Sequence, residues 1–218
     1  MMQTKICGIT GLADALCAAE CGAAAVGFIF YAPSPRHIEP ACARMIIDRL
    51  PRALVKVGVF VNETAAEVKR IYDYCGLDMI QLHGDESPEY CRQFPKDRLI
   101  KALDLKSDDD LKKAASYEAA AILVDSRHAG LYGGTGKTAD WDLARRLVQP
   151  LILSGGLNHE NVAEAIKNVH PSALDIASGV ESEAGKKDHE KIARIMRLIH
   201  KTAAAFAAPV IFTRREII

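Results

Sequence analysis

The sequence has no surplus of either charge and no long apolar run. It contains 28 Lys or Arg residues and 28 Asp or Glu residues in 218, so the formal net charge is zero. A chain without a basic surplus lacks the broad positive field that holds nucleic acid or an anionic membrane surface, and we expect neither partner. No apolar run approaches the roughly 18 residues that a membrane-spanning helix needs. The first residues show no charged segment followed by an apolar core, so we expect no signal peptide.

The cysteines include no Cys-x-x-Cys pair, and no histidine pattern accompanies them as a zinc site would require. There are six, at positions 7, 17, 21, 42, 75 and 91. We therefore expect reduced thiols, no metal site and a cytoplasmic location.

Eight short runs of apolar residues indicate strands. Most of these runs are continuous rather than alternating, which is typical of strands that are buried on both faces of a parallel sheet. The predicted strands are Thr4–Ile9, Ala24–Phe30, Leu54–Val61, Met79–His83, Leu99–Leu105, Ala121–Asp125, Leu151–Ser154 and Ala173–Ala177.

Helical patterns separate these strands, and several have recognisable first residues. Asn62 and Thr64 precede the third helix, and Ser87, Ser107 and Asn158 precede the fourth, fifth and seventh as typical N-caps. The predicted helices are Leu12–Cys21, Pro40–Leu50, Ala65–Cys75, Pro88–Phe94, Asp108–Tyr117, Ala139–Val148, Glu160–Asn168 and His189–Ala205.

The alternation of eight strands with eight helices in about 200 residues predicts an α/β fold, a (β/α)8 TIM barrel of a single domain. A doubly wound open sheet is the competing fold, but no G-x-G-x-x-G motif follows the first strand. We place the barrel at residues 1–205, with its active site at the carboxyl ends of the strands.

Residues 206–218 lie beyond the barrel pattern and form a C-terminal extension of unknown role. Phe206, Val210, Ile211 and Phe212 would be exposed close together unless they packed on the barrel or on a second subunit. We expect such packing.

Two loops that contain glycine predict a phosphate site. Gly155-Gly156 follows the seventh strand and Ser178-Gly179 follows the eighth, where barrels commonly bind phosphate with backbone N–H groups. The alternative is that these glycines only form tight turns. The stretch Gly133-Gly134-Thr135-Gly136-Lys137 has the wrong spacing for a P-loop. We expect it to form a mobile loop near the phosphate.

Five further side chains near strand ends are candidates for chemistry. Cys7 ends the first strand, where a thiol is either reactive or a small buried hydrophobe. Asp125 closes an apolar strand and is either used or paired in a salt bridge, because burial of a lone carboxylate is costly. Arg36 can bind a carboxylate through two donors or form a surface ion pair. His83 either lines the site or belongs to the core, and Asp175 holds either substrate hydroxyls or a neighbouring loop.

Eight short motifs mark the strand ends and the loops that follow them. They are Lys5-Ile6-Cys7-Gly8, Ser34-Pro35-Arg36, Val59-Phe60-Val61-Asn62, Gln81-Leu82-His83-Gly84, Leu123-Val124-Asp125-Ser126, Gly133-Gly134-Thr135-Gly136, Ser154-Gly155-Gly156-Leu157 and Ser178-Gly179-Val180-Glu181. In this order they resemble the phosphoribosylanthranilate isomerase family, and the resemblance extends from about residue 3 to about residue 200. The chain departs from the family pattern at Ala139, where an aromatic residue is common, and at Ala177, where serine is frequent.

The resemblance implies a (β/α)8 barrel that acts in tryptophan biosynthesis with no metal and no cofactor. Its reaction is the Amadori rearrangement of N-(5-phospho-β-D-ribosyl)anthranilate to 1-(2-carboxyphenylamino)-1-deoxy-D-ribulose 5-phosphate. The expected partner is therefore a small-molecule substrate. The oligomeric state, monomer or homodimer, stays open.

The resemblance also implies roles for the candidate residues. Asp125 is the general acid that protonates the ring oxygen of the ribose, and Cys7 is the general base that removes the proton from sugar C2. Arg36 holds the anthranilate carboxylate, and the loops after the last two strands hold the phosphate. A free thiol has a pKa of about 8.5 and is mostly protonated at neutral pH. Lys5 lies two residues before Cys7, on the same face of the strand, and we expect its charge to favour the thiolate.

Three alternatives compete with this function. The barrel isomerase of the histidine pathway performs the same rearrangement on a larger substrate, but that family is expected to have an aspartate at the end of its first strand and two phosphate sites. A metal-dependent pentose-phosphate epimerase would need a cluster of histidine and aspartate ligands that the sequence does not provide. A catalytically silent barrel that binds a sugar phosphate or a partner protein would not need both Cys7 and Asp125.

Overall fold

Eight parallel strands form a closed barrel in which each strand pairs with the next along the chain and the last pairs with the first. The structure, a computed structural model, describes residues 2–125, 141–204, 206 and 208–215. The strands are Gln3–Cys7 (β1), Ala25–Ile29 (β2), Val55–Phe60 (β3), Met79–Leu82 (β4), Leu99–Leu103 (β5), Ala121–Val124 (β6), Leu151–Leu153 (β7) and Ala173–Ile176 (β8). The predicted barrel is confirmed, and the strand ends differ from the predicted ones by one or two residues at most.

Helices follow the strands and form the outer layer. They are Leu12–Glu20 (α1), Pro40–Ile47 (α2), Ala65–Cys75 (α3), Pro88–Cys91 (α4), Asp108–Ala114 (α5), Trp141–Ala144 (α6), Val162–Val169 (α7) and His189–Ala203 (α8). The predicted start of the sixth helix, Ala139, lies outside the described residues. Within the described part of the chain, no helix has the length and apolar character to cross a membrane.

Capping side chains explain where several helices begin. Thr64, Ser87 and Ser107 each accept a hydrogen bond from a backbone N–H group in the first turn of α3, α4 and α5, as predicted. The prediction for α7 is wrong, because its N-cap is Asn161. Asn158 instead stabilises the turn before this helix through a hydrogen bond to a backbone N–H group.

A short antiparallel hairpin, which the sequence pattern does not predict, lies between β8 and α8. Its strands are Glu181–Glu183 (β9) and Lys186–Lys187 (β10). Gly185 forms the turn with a φ of +84°, a conformation that favours glycine. Asp188 follows the hairpin and caps α8 by accepting hydrogen bonds from two backbone N–H groups. Strands of two or three residues are too short to show a periodic pattern.

Alternate residues of each strand face the interior of the barrel and the helices outside it. Along β2, Ala25 belongs to the inner apolar cluster and Val26 to the outer one. On β1, Ile6 packs in the outer cluster. Lys5 and Cys7, one position to either side, therefore face the interior.

The C-terminal tail closes the amino-terminal end of the barrel. Ile211 and Phe212 are buried in the inner cluster, Phe206 packs on the outer one, and Val210 is 71% exposed. The side chain of Gln3 accepts hydrogen bonds from the N–H groups of Ile211 (2.6 Å) and Phe212 (2.9 Å) and donates one to the carbonyl of Phe212 (3.2 Å). Packing of the tail on the barrel is confirmed for these residues, except for Val210. The domain boundary after residue 205 stays a prediction.

We expect Phe212→Ala to lower the free energy of unfolding by about 3–5 kcal/mol, because it leaves a cavity in the inner cluster. Val210→Ala is the matched control and should change this free energy by less than about 0.5 kcal/mol, because the side chain is exposed. Urea denaturation measures both variants. Equal stability of the two variants would contradict a tail that packs inside the barrel.

Candidate active site

A cavity opens at the carboxyl ends of the strands, where the sequence predicts the active site. About 680 Å³ of space, open solvent included, lies between its lining residues. Eight of the nine predicted site residues line it: Cys7, Arg36, His83, Asp125, Gly155, Gly156, Asp175 and Ser178. Gly179 is not among the lining residues. It packs so closely on the neighbouring loop that a Cβ atom would overlap the carbonyl oxygen of Leu157. The fold thus brings together residues from almost the whole length of the chain.

Cys7 ends β1 as a buried thiol among charged groups. Lys5 forms an ion pair with Asp175 of the neighbouring β8, with Nζ 2.8 Å from Oδ1 and both side chains buried. Burial raises the pKa of Cys7, and Asp175 raises it further, whereas Lys5 and Lys187 lower it by less. The expected effect of Lys5 agrees in direction, since Lys5 lowers the pKa of Cys7, but burial and Asp175 outweigh it and the net pKa is raised.

Lys5 stays charged despite its burial. Burial lowers the pKa of Lys5, but the nearby Asp175 and Cys7 raise it by more. Gly27 of β2 provides the space for this arrangement: a Cβ atom there would lie 2.7 Å from the Cys7 sulfur and 3.2 Å from the Lys5 nitrogen. A larger residue at position 27 would displace both groups.

Asp125 follows β6 and faces His83, which follows β4. The Nε2 atom of His83 lies 3.3 Å from Oδ2 of Asp125. The other ring nitrogen, Nδ1, lies 3.0 Å from the side-chain amide nitrogen of Gln81. Because an amide nitrogen can only donate, Nδ1 accepts, and the proton of a neutral imidazole lies on Nε2 toward Asp125. His83 is thus a lining residue that Gln81 orients beside Asp125.

A buried ion pair holds the loop that carries His83. Lys101 of β5 donates to the carbonyl of Gly84 at 2.8 Å and to the carboxylate of Glu86 at 2.7 Å. Glu86 also accepts a hydrogen bond of 2.8 Å from the N–H group of Asn62, which follows β3. The loops after β3 and β4 are therefore tied to β5 behind the cavity.

Arg36 lies in the loop after β2 and forms an ion pair with Glu181 of β9 through two donors. Its Nε and Nη2 atoms lie 2.8 Å and 2.7 Å from the two carboxylate oxygens, and both side chains are largely buried. The hydrogen bonds to Glu181 raise the pKa of Arg36. The alternative of an ion pair is thus observed, although the pair is largely buried and not on the surface. A guanidinium group has five N–H donors, of which Glu181 takes two.

The loops after β7 and β8 meet at one side of the cavity. Gly155 and Gly156 have φ angles of +88° and +64°, which only glycine adopts readily. Asn161 fixes this turn by donating to the carbonyl of Gly156 at 3.0 Å. Ser178 begins a 3₁₀ turn that lines the same cavity. The glycines thus form tight turns and also border the space where a phosphate is expected.

Sequence reasoning missed two charged residues beside the site, Glu181 and Lys187. Glu181 directly follows the Ser178-Gly179-Val180 loop, so its position was a usable signal. Lys187 stands in a polar run beside Lys186, and no local pattern indicates its burial. The predicted loop 133–137, together with the rest of 126–140, lies outside the described residues.

Comparison with known proteins identifies the family. The sequence profile of N-(5'-phosphoribosyl)anthranilate isomerase matches residues 4–197. A protein of that name from Syntrophus aciditrophicus is 53% identical over 203 residues, which cover 92% of this chain and 88% of the relative. The chain belongs to this family. The resemblance that the eight motifs indicate is confirmed.

Solved structures of the family have the same fold. One is a phosphoribosylanthranilate isomerase in complex with reduced 1-(o-carboxyphenylamino)-1-deoxyribulose 5-phosphate, with a TM-score of 0.82, 42% identity, and coverage of 92% of this chain and 100% of that one. Another shows monomers generated from the dimeric isomerase of Thermotoga maritima, with a TM-score of 0.82, 42% identity and the same coverage.

We expect Lys5→Met to shift the pH dependence of Cys7 alkylation to more alkaline pH. Only the thiolate reacts, and the cation of Lys5 lowers the pKa of Cys7. Without the Lys5 cation, burial and Asp175 raise the pKa of Cys7 further. The rate at which iodoacetamide labels the Cys7 peptide, followed by mass spectrometry over a range of pH, measures the shift.

Lys56→Met is the matched control. Lys56 is also a buried lysine of a barrel strand, but it lies between the inward residues Val55 and Val57 of β3 and so faces outward, where its Nζ lies 3.5 Å from Oδ2 of Asp78. Its removal should leave the labelling profile at the wild-type position. The same profile in Lys5→Met and wild type would show that Lys5 does not act on the thiol.

Proposed function

We propose that the chain catalyses the Amadori rearrangement of N-(5-phospho-β-D-ribosyl)anthranilate to 1-(2-carboxyphenylamino)-1-deoxy-D-ribulose 5-phosphate, a step of tryptophan biosynthesis. The observation that carries this proposal is that Cys7 and Asp125 line one cavity together with Arg36 and the loops after β7 and β8. A base, an acid, a cation for a carboxylate and a phosphate site are what this reaction needs.

In the first step, Asp125 donates a proton to the ring oxygen of the ribose. The bond between this oxygen and C1 breaks while the lone pair of the anilino nitrogen forms a C1=N bond, which gives a protonated Schiff base. Asp125 becomes a carboxylate, and the Nε2–H group of His83, 3.3 Å away, can donate to it. This contact supports Asp125 as the acid, because it stabilises the charge that the step creates.

In the second step, Cys7 removes the proton from C2 of the sugar. The electron pair of the C–H bond forms a C1=C2 bond, and the electrons of the C1=N bond return to nitrogen. Transfer of that proton from Cys7 to C1 and of the C2 hydroxyl proton to the Asp125 carboxylate then give the ketone and restore both groups. Cys7 must first lose its own proton, which its raised pKa opposes. The positive charge of the Schiff base, together with Lys5, favours the thiolate at this stage.

The carboxylate and the phosphate of the substrate bind to different parts of the site. Arg36 holds the anthranilate carboxylate with donors that Glu181 does not take. The loops after β7 and β8 hold the phosphate with backbone N–H groups. The compound bound to the related isomerase carries both a carboxyphenyl group and a 5-phosphate, which supports a site that takes both anionic groups.

The sugar lies between these ends, near Asp175 and His83. One oxygen of Asp175 is paired with Lys5, so its other oxygen is assigned to a sugar hydroxyl. Because the rearrangement has no net oxidation or reduction and each step needs only an acid or a base, the proposed mechanism includes no metal and no cofactor.

The assembly and location of the protein are part of the proposal. The Thermotoga maritima relative is dimeric. A monomer and a homodimer are the two states proposed for this chain, and its mass in solution distinguishes them. All six cysteines are free thiols. Free thiols support a cytoplasmic location, where the environment is reducing.

We expect Cys7→Ala and Asp125→Asn each to lower kcat by about 10²–10⁴, because each removes one proton-transfer group. The assay follows the fluorescence of freshly made phosphoribosylanthranilate as it is consumed. Turnover by the Cys7→Ala variant at the wild-type rate would show that another residue is the base.

Two exposed positions provide the controls. Cys42→Ala removes an exposed thiol, and Asp142→Asn removes an exposed carboxylate of α6. Both variants should keep the kcat of the wild type. A wild-type protein without turnover would overturn the proposed function, and the substrate of the histidine-pathway isomerase would then be assayed.

A further inference from the structure

Lys187 of β10 is a buried lysine that the proposed reaction does not use. Its side chain is 0% exposed, whereas that of the adjacent Lys186 is 69% exposed. The Nζ atom donates to Oε1 of Glu181 at 2.8 Å and to the carbonyl of Ala177 at 3.2 Å. Burial lowers the pKa of Lys187, and Glu181 opposes this effect. Because a buried ammonium group is costly, its position depends on these two partners.

The first partner connects Lys187 to Arg36. Oε1 of Glu181 accepts hydrogen bonds from Nζ of Lys187 and from Nε of Arg36, both at 2.8 Å. The N–H group of Gly185 in the hairpin turn donates to the same oxygen at 3.3 Å. One carboxylate is thus shared by the ammonium and the guanidinium groups, and the orientation of Arg36 depends on both.

The second partner connects Lys187 to the phosphate loop. Ala177 directly precedes Ser178, and both residues line the cavity. The loop is also held from its other side, where Gly179 packs against the carbonyl of Leu157. A single ammonium group is therefore bonded to the residue that orients Arg36 and to the start of the loop that is assigned to the phosphate.

We propose that Lys187 is a positioning residue that sets the separation between Arg36 and the phosphate loop, and thereby selects substrates whose carboxylate and phosphate are that far apart. This proposal rests on the proposed function, in which the two sites hold the two ends of one substrate. A ligand that occupies both sites depends on Lys187. A ligand that occupies only the phosphate loop depends on it much less, because β8 and Leu157 also hold that loop.

The proposal is tested by calorimetric titration of Lys187→Met with two ligands, of which only one is able to occupy both sites. Reduced 1-(o-carboxyphenylamino)-1-deoxyribulose 5-phosphate carries both anionic groups, and ribulose 5-phosphate carries only the phosphate. We expect the Kd of the first compound to rise about tenfold or more, and that of the second by less than about twofold. An equal rise for both compounds, which a purely structural role would give, or no rise for the first, would overturn the proposal.

Three further variants provide the comparison. Lys186→Met removes the same charge from the exposed neighbour and should bind both ligands like the wild type. Lys187→Arg keeps a charged donor and should recover part of the affinity for the longer compound. If Lys187→Met does not fold, Lys187→Gln, which keeps a donor without the charge, takes its place. The same changes in Kd are then expected for Lys187→Gln. A loss in Lys186→Met as large as that in the buried variants would also overturn the proposal.

The wild-type protein separates this inference from the proposed function. If it binds the longer compound no more tightly than ribulose 5-phosphate, Arg36 does not hold a carboxylate, and the proposed function fails with the inference. If the wild type prefers the longer compound and Lys187→Met keeps the same preference, only the role of Lys187 is wrong.

Discussion

Burial of charge at the carboxyl end of the barrel is the constraint on which the site depends. Each charged group there needs a partner, because an isolated ion is costly away from water. Lys5 and Asp175 meet across β1 and β8, where the strand register places them side by side. Glu181 meets Arg36 across 145 residues of sequence. Because the strands pair in chain order, closure of the barrel is what brings β1 beside β8 and so allows Lys5 and Asp175 to pair.

The two ends of the barrel interior have opposite character. At the amino-terminal end the interior is apolar, and the tail adds Ile211 and Phe212 to it. At the carboxyl end the inward positions of β1 hold Lys5 and Cys7, and the cavity is open to a ligand. The residues that exclude water from the core are therefore separate from those that meet a substrate, as is usual for this fold.

The proton-transfer groups are held in position by residues that do not themselves transfer protons. His83 is held between Gln81 and Asp125, and its loop is tied to β5 through Lys101. Such support matters because a small displacement of a reacting group lowers the rate strongly. The same burial raises the pKa of Cys7. Burial at this position therefore opposes the thiolate form of Cys7, whereas Lys5 favours it.

Local patterns in the sequence determined the eight strands, because strands buried on both faces are apolar runs. They also determined the starts of α3, α4 and α5, because Thr64, Ser87 and Ser107 cap backbone N–H groups within the first turn of each helix. They also placed Cys7 and Asp125 in one site, since all strand ends of a parallel barrel meet at one face. Tertiary structure alone decided the burial of Lys187, the closure of the barrel by the tail and the net effect on the Cys7 pKa. Each of these depends on contacts between distant residues, as between Gln3 and Phe212, and no local pattern of residues specifies such contacts.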